Sequence, residues 1–190
     1  QRLSRGLGDV YKRQVSKDAL NIEGLGKKVI EKFWDLKFIQ LPNDIFNLNF
    51  EIISKLEGWG YQSAENLKNS INKSKKLKLD KFIYSLGIRH IGQENAKLIS
   101  EFLGNYSNFV KLKEQKNIED LSNIDGIGET QITSLKNFFK NNLNLQVISS
   151  LNKVLIIEKN NIKKKGGVFS NKTLMFTGKL DNISRAEAKS

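Results

Sequence analysis

Four short glycine-containing segments recur along this 190-residue chain and constrain its fold more than any other feature. They read IEGLG, LEGWG, GIRHIG and IDGIG and occupy residues 22–26, 56–60, 87–92 and 124–128. One glycine of each segment lies 34 residues from the next, at Gly24, Gly58, Gly92 and Gly126. A fixed step of that size indicates an internal repeat. Because apolar residues recur at helical spacing on both sides of each segment, the predicted repeat unit is a helix, a tight hairpin and a second helix.

The repeat predicts an all-α fold, with four tandem helix-hairpin-helix motifs in one compact domain. Pro42 is the single proline, so long uninterrupted helices are favoured, and the apolar pattern breaks around it at residues 41–44. The apolar stretch at 147–157 is expected to close the domain. The third segment departs from the others, because Gly87 and Gly92 leave no Gly-x-Gly spacing. We therefore expect its hairpin to be longer.

Composition and pattern divide the chain into four segments. Residues 1–14 match nothing downstream and are interpreted as a leader foreign to the domain. Residues 15–157 carry the hairpins and form the helical domain. Residues 158–170 contain lysine and paired glycine and are predicted to be a flexible basic linker. Residues 171–190 show a short strand pattern, and because so few residues cannot bury a core, they are expected to be the truncated start of an α/β domain.

The hairpins are predicted to bind anions. Glycine lets the backbone turn sharply and approach a partner closely, and the N–H groups at the start of the second helix point outward. With 32 Lys and Arg against 20 Asp and Glu, the net charge is +12, so the phosphates of duplex DNA are the expected partner. Phosphate contacts carry no base code, so sequence-independent binding is expected. The residues predicted to bind DNA are Gly24, Leu25, Gly26, Lys27, Lys28, Gly58, Trp59, Gly60, Arg89, His90, Gly92, Lys97, Gly126, Ile127, Gly128 and Thr130.

Composition and motifs argue against several other functions. The chain has no cysteine, and therefore no disulfide framework and no cysteine zinc site. No apolar run is long enough to span a membrane. The glycines at 24 and 26 lack the third glycine of a dinucleotide fingerprint and follow a helical pattern instead of a strand. No paired carboxylates, nucleophile triad or metal cluster emerges, so no catalytic, cofactor-binding or metal-binding residue is predicted.

Several polar and aromatic residues leave two interpretations open. His90, the single histidine, is expected to form hydrogen bonds at its hairpin tip, and the alternative is a catalytic role. Trp59 is expected to pack inside its own hairpin, and the alternative is an apolar contact in the minor groove. Trp34 is expected in the core. The lysine run at 73–78 is expected to be a solvated face, and the alternative is contact with DNA.

Three strings of the chain resemble bacterial NAD-dependent DNA ligase. They are VSKDALNIEGLG at 15–26, LEGWGYQSAENL at 56–67 and FIYSLGIRHIG at 82–92. In that family four helix-hairpin-helix motifs form one domain, and a BRCT domain follows it. Residues 172–180 and 184–189 resemble the start of that BRCT domain, so the resemblance covers roughly residues 15–190.

The resemblance implies the DNA-clamping part of an enzyme that seals nicks in replication and repair. The family's adenylated lysine lies in a K-x-D-G motif, and the nearest strings here, at 78–81 and 179–182, lack its glycine. The chain alone is therefore expected to be inactive, with the family's NAD, magnesium and structural zinc all bound outside it. The implied partners are nicked duplex DNA and the remaining ligase domains. A monomer in the bacterial cytoplasm, associated with the nucleoid, is expected.

Two other functions remain open at this point. One is a helix-hairpin-helix module of a repair nuclease or a junction-binding protein. The other is a plain α-helical domain that binds proteins. Salt-dependent binding to any duplex DNA would separate the protein-binding domain from the ligase part and from the nuclease or junction-binding module.

Overall fold

The computed structural model describes residues 19–159. The predicted leader, the predicted BRCT start and residues 160–170 of the predicted linker lie outside this range. Ser16, the predicted start of the first helix, also lies outside it. Ala19 and Leu20 are the first described residues, and they form a buried turn before the first hairpin.

The described residues are mostly helical, as predicted. The longer helices share amphipathic patterns whose apolar faces meet in one core. Within residues 19–159 the α-helices are α1 Lys27–Asp35, α2 Phe50–Ser54, α3 Tyr61–Ser74, α4 Leu79–Ser85, α5 Gln93–Leu103, α6 Tyr106–Val110, α7 Lys116–Glu119, α8 Glu129–Lys140 and α9 Asn142–Val154. Short 3₁₀-helices occupy Pro42–Asn47, Lys111–Lys113 and Asp120–Asn123. Pro42 begins the first of these, which confirms the predicted break.

A small parallel sheet, which the sequence pattern did not predict, closes the domain. Strand β1 (Lys76–Lys78) pairs with strand β2 (Ile156–Glu158), and the Ile156 N–H donates to the Lys75 carbonyl at 2.7 Å. The middle residue of β1 is buried between two exposed lysines, so this alternation is the strand signal that was missed. Glu158, predicted to belong to the linker, lies in β2. The folded domain therefore extends past residue 157.

One continuous hydrophobic core contains two aromatic clusters. In the first, the ring of Phe33 on α1 lies 5.5 Å from the ring of Trp59 in the second hairpin. In the second, Phe82 of α4 meets Phe109 of α6 edge-on at 5.9 Å, and Phe109 lies 5.3 Å from Phe139 of α8. Such pairs contribute about 0.5–1.5 kcal/mol each beyond their area burial. The clusters hold the hairpins and their helices in fixed relative positions.

Candidate nucleic-acid interface

The four hairpins share one backbone geometry. The N–H of the fourth residue donates to the carbonyl of the first, at 3.4 Å for Leu25–Ile22, 2.9 Å for Trp59–Leu56, 3.1 Å for Ile91–Ile88 and 3.0 Å for Ile127–Ile124. The third residue has a positive φ, of 86° at Gly24, 79° at Gly58, 60° at His90 and 91° at Gly126. A type II turn requires a positive φ at this position, and glycine adopts it at least cost. The same turn therefore occurs four times within the described residues.

The prediction that the third hairpin is longer is wrong. It spans residues 88–92, and His90 takes the position that glycine has in the other three. The Asn95 side chain donates from Nδ2 to the His90 carbonyl at 3.1 Å and so supports this left-handed residue. Gly87, with a φ of 67°, follows the end of α4 instead. Gly92 therefore matches the fifth and last residue of the other hairpins. The uniform 34-residue step compared this fifth residue with the third residue of the other hairpins, Gly24, Gly58 and Gly126.

The last residue of each hairpin is a glycine that the fold itself does not require. It is the N-cap of the following helix, and its backbone is extended, with φ between −71° and −146°. Any residue adopts such a conformation. A Cβ added at Gly26, Gly60 or Gly92 would meet no atom of the described residues within 4 Å, and one at Gly128 would meet the Gln131 side chain at 3.5 Å. The space beside these glycines is open to a partner.

The helices that follow the hairpins also begin without a side-chain cap. Glycine offers none, so the first N–H groups of α1, α3, α5 and α8 have no capping side chain at the N-cap position. Three helices that start away from the hairpins, α2, α6 and α9, are capped by asparagine. Asn49, Asn105 and Asn141 accept backbone N–H groups of the next turn at 3.1, 3.0 and 2.9 Å. Asparagine is among the best N-caps, so the hairpin helices lack a stabilising feature that the chain uses elsewhere.

The third hairpin is the most favourable of the four for an anion. Its second residue is the exposed Arg89, whose guanidinium matches phosphate geometry. The other hairpins carry an acid at that position, namely Glu23, Glu57 and Asp125. Lys97 on α5 is also exposed and offsets the exposed Glu94 in the first turn of that helix. At the first hairpin, the exposed Lys27 and Lys28 offset the nearby acid.

The fourth hairpin is the least favourable. Its Gly128 N–H already donates to Oε1 of Gln131 at 3.1 Å. Asp125 and Glu129, the first residue of α8, are exposed and bring negative charge to the tip. An added Cβ at Gly126 would lie 3.2 Å from the Leu98 side chain, so this hairpin packs closely on α5. Its geometry fits a structural role better than anion binding.

Two predicted contact residues lie in the core, and both tryptophans are half-buried. Leu25 and Ile127 are only 2% and 5% exposed, and their N–H groups already close the turns. Their side chains therefore shape the hairpins from inside. The half-buried ring of Trp59, predicted to pack inside its own hairpin, lies against Phe33 of α1. Trp34, expected in the core, is half-buried at its edge.

A shallow groove of about 370 Å³ joins the third hairpin to α8. Arg89, His90, Glu129 and Thr130, all exposed, line it, so it carries both a cation and an acid. Sequence reasoning missed three polar residues of the same groove, Thr133, Ser134 and Asn137. Thr133 and Ser134 follow Thr130 by one helical turn and Asn137 by two, and this spacing was the available signal.

The described residues offer no metal centre. Within residues 19–159, no three His, Asp or Glu side chains lie together in a way that would hold a metal ion. In the same range, no helix combines the length and apolar character needed to cross a membrane. The candidate interface therefore consists of backbone donors, cations and polar side chains.

The chain is similar to a known motif family over part of its length and to known DNA ligases over most of it. The helix-hairpin-helix motif family matches residues 81–148, which include the third and fourth hairpins. A DNA ligase of Pelagibacter ubique (strain HTCC1062) is 59% identical over 179 residues, covering 94% of this chain and 26% of that protein. DNA ligases of Rickettsia bellii (strain RML369-C) and Rickettsia prowazekii (strain Madrid E) are 42% and 41% identical, each covering 92% of this chain and 27% of that protein. The chain thus spans about a quarter of the length of these relatives.

Proposed function

We propose that this chain, whose relatives confirm its resemblance to part of a bacterial DNA ligase, grips duplex DNA through phosphates without reading base sequence. The four turns act as four helix-hairpin-helix motifs. At the first three hairpins, the backbone N–H groups that do not close the turn and those at the start of the following helix donate to phosphate oxygens. The positive end of the helix dipole, equivalent to about half an elementary charge, favours the same anion.

The observation that carries this proposal is the uncapped glycine at the start of α1, α3 and α5. The backbone there is extended and the space beside it is open, so the fold would accept another residue. A serine or asparagine would also cap the helix better. Glycine at all three positions is explained when another backbone must come close to the open N–H groups.

The hairpins contribute unequally to this grip. The third supplies Arg89, and the first supplies Lys27 and Lys28, so these two hold phosphates most strongly. The second adds backbone donors at Gly58 and Gly60. The fourth serves mainly to pack the domain, because one of its donors is occupied and its tip is acidic.

In the ligase, the chain serves as a clamp on nicked DNA during replication and repair. The rest of the enzyme carries out adenylation and nick sealing, because this sequence has no K-x-D-G lysine to accept AMP. The family's structural zinc takes four cysteines, and the chain has none, so the zinc, NAD and magnesium are bound by other domains. Residues 171–190 begin the BRCT domain in this scheme. The relatives favour this assignment over a repair nuclease or a protein-binding domain.

The proposal is tested by titrating the full chain with fluorescent duplexes of unrelated sequence at several salt concentrations. We expect similar affinities for all duplexes. The logarithm of the binding constant should fall with the logarithm of salt concentration by about 0.9 for each phosphate neutralised. Base-selective binding, or binding that is indifferent to salt, would overturn the proposal.

A further inference from the structure

A large open groove runs along α3 between the first two hairpins and β1. Its volume is about 1020 Å³. Trp59 lines it just before α3 begins, and Lys73 lines it in the last turn of that helix. The 14 residues of α3 span about 20 Å, so the groove is elongated.

The wall formed by α3 is polar but uncharged over most of its length. Ser63, Asn66 and Ser70 lie three or four residues apart on one helix face and line the groove. Their hydroxyl and amide groups can donate to and accept from a ligand. At the end before α3, the Trp59 indole is half-buried with its ring packed on Phe33. The wall therefore combines an aromatic surface with hydrogen-bonding groups.

The end of the groove at β1 is strongly basic. Lys73, Lys76, Lys78 and Lys81 line it, and Lys76 shares its charge with Glu158 at 3.1 Å. Glu23 is the one acid among the described residues that line the groove. The interpretation of residues 73–78 as a merely solvated face is therefore incomplete, because Lys73, Lys76 and Lys78 line one concave surface.

We propose that this groove binds a single strand of nucleic acid that leaves the duplex held by the hairpins. A basic groove with an aromatic surface is the combination that binds single strands without base preference. The volume of the groove is near the upper limit of small-ligand sites, about 300–1,000 Å³, which suits a few nucleotides. The proposal rests on the proposed duplex grip and deepens it, because the groove begins at Gly24 and Gly58 of the first two hairpins and continues along α3 to the lysines at β1.

Tryptophan fluorescence gives a direct test on the full chain. The chain has two tryptophans, so Trp34→Phe leaves Trp59 as the only reporter. Titration with a short oligothymidylate should quench this fluorescence in a saturable way, because a base stacks on the indole. In the same background, Lys73→Ala with Lys78→Ala and Lys81→Ala should weaken binding by about tenfold or more. The slope of the logarithm of the binding constant against the logarithm of salt concentration should become less steep by about 2, because each lost phosphate contact with a single strand removes about 0.7.

The matched control removes three exposed lysines that do not line the groove, Lys111, Lys113 and Lys116. This control should bind oligothymidylate nearly as the parent does. Thermal unfolding must show that both triple variants are folded. Unchanged Trp59 fluorescence, or full binding by the Lys73, Lys78 and Lys81 variant, would overturn the proposal. Equal binding of a poly-glutamate peptide would assign the groove to acidic peptides and overturn it as well.

A second comparison separates this proposal from the duplex grip. A nicked duplex with a single-stranded flap of about five nucleotides should bind the parent more tightly than the same duplex without the flap. The groove variant should lose this gain and keep the affinity for the plain nicked duplex. If the parent binds no duplex at all, the proposed function is contradicted. If the flap adds no affinity, only the proposal that the groove binds a single strand is contradicted.

Discussion

Replacing Gly60 by serine should stabilise the fold and weaken DNA binding at the same time. Gly60 is the N-cap of α3, with an extended backbone (φ −146°, ψ 174°) and no atom of the described residues within 4 Å of an added Cβ. Serine adopts this conformation without strain. Its Oγ can accept a backbone N–H from the first turn of α3.

The expected gain in stability has two sources. A serine cap is better than glycine by a few tenths of a kcal/mol. Removing a glycine also lowers the entropy of the unfolded chain, which adds about 0.4–1 kcal/mol where the native backbone suits the new residue. For a chain of this size the melting temperature should rise by about 2–4 °C, because each kcal/mol is worth roughly that much. Circular dichroism measures this change.

The expected loss of binding follows from the same side chain. The hydroxyl occupies an N–H group that the phosphate would use, and the added atoms fill the space the phosphate needs. A hydrogen bond to a charged group is worth about 1.5–3 kcal/mol, so the dissociation constant should rise about tenfold or more. Fluorescence anisotropy with a nicked duplex at fixed salt measures it.

Two further substitutions serve as controls for this experiment. Lys68→Ala removes an exposed charge on α3 that pairs with Glu65 at 3.5 Å, and it should change affinity little. Gly58→Ser places a side chain at a φ of 79° and should destabilise the fold by about 1–2 kcal/mol. A Gly60→Ser protein that is more stable and binds duplex DNA as tightly as the parent would refute the phosphate site at the start of α3. A Gly60→Ser protein that is less stable than the parent would refute the argument that the fold does not require glycine at position 60.

The remaining predictions concern the other hairpins and the missing chemistry. Arg89→Ala should weaken duplex binding and make its salt dependence less steep by about 0.9, and an unchanged slope would exclude a phosphate contact. Gly128→Ser should affect binding less than Gly60→Ser, because the Gly128 N–H already donates to Gln131 and the tip is acidic, so less phosphate binding can be lost, and anisotropy ranks the two. His90→Val should lower the free energy of unfolding by about 1–3 kcal/mol, while His90→Gly should be tolerated, because the residue has a φ of 60°; urea denaturation distinguishes them. Incubation with labelled NAD and magnesium should leave the chain unlabelled, and a stable adenylated lysine would contradict its assignment as a clamp.

The local turn chemistry was readable from the sequence. Gly24, Gly58 and Gly126 mark positions of positive φ, and the glycine two residues later marks the start of a helix. Both features depend on a few neighbouring residues and their backbone sterics, so a sequence pattern captures them. The same strings also carried the resemblance to DNA ligases that the relatives confirm.

Other features depended on the tertiary structure. His90 was not recognised as the counterpart of a glycine, because a histidine adopts a positive φ only where contacts such as the Asn95 hydrogen bond support it. Which hairpins keep their donors free likewise depends on side chains such as Gln131.

The sequence by itself therefore determined the hairpins, the helical class and the basic character of this protein, because each arises from composition or from residues close together along the chain. Only the tertiary structure decided the pairing of β1 with β2, the packing of Trp59 on Phe33 and the groove beside α3. These features join residues that are far apart in sequence. Such contacts form when the whole core packs, and no local pattern of spacing or charge specifies them.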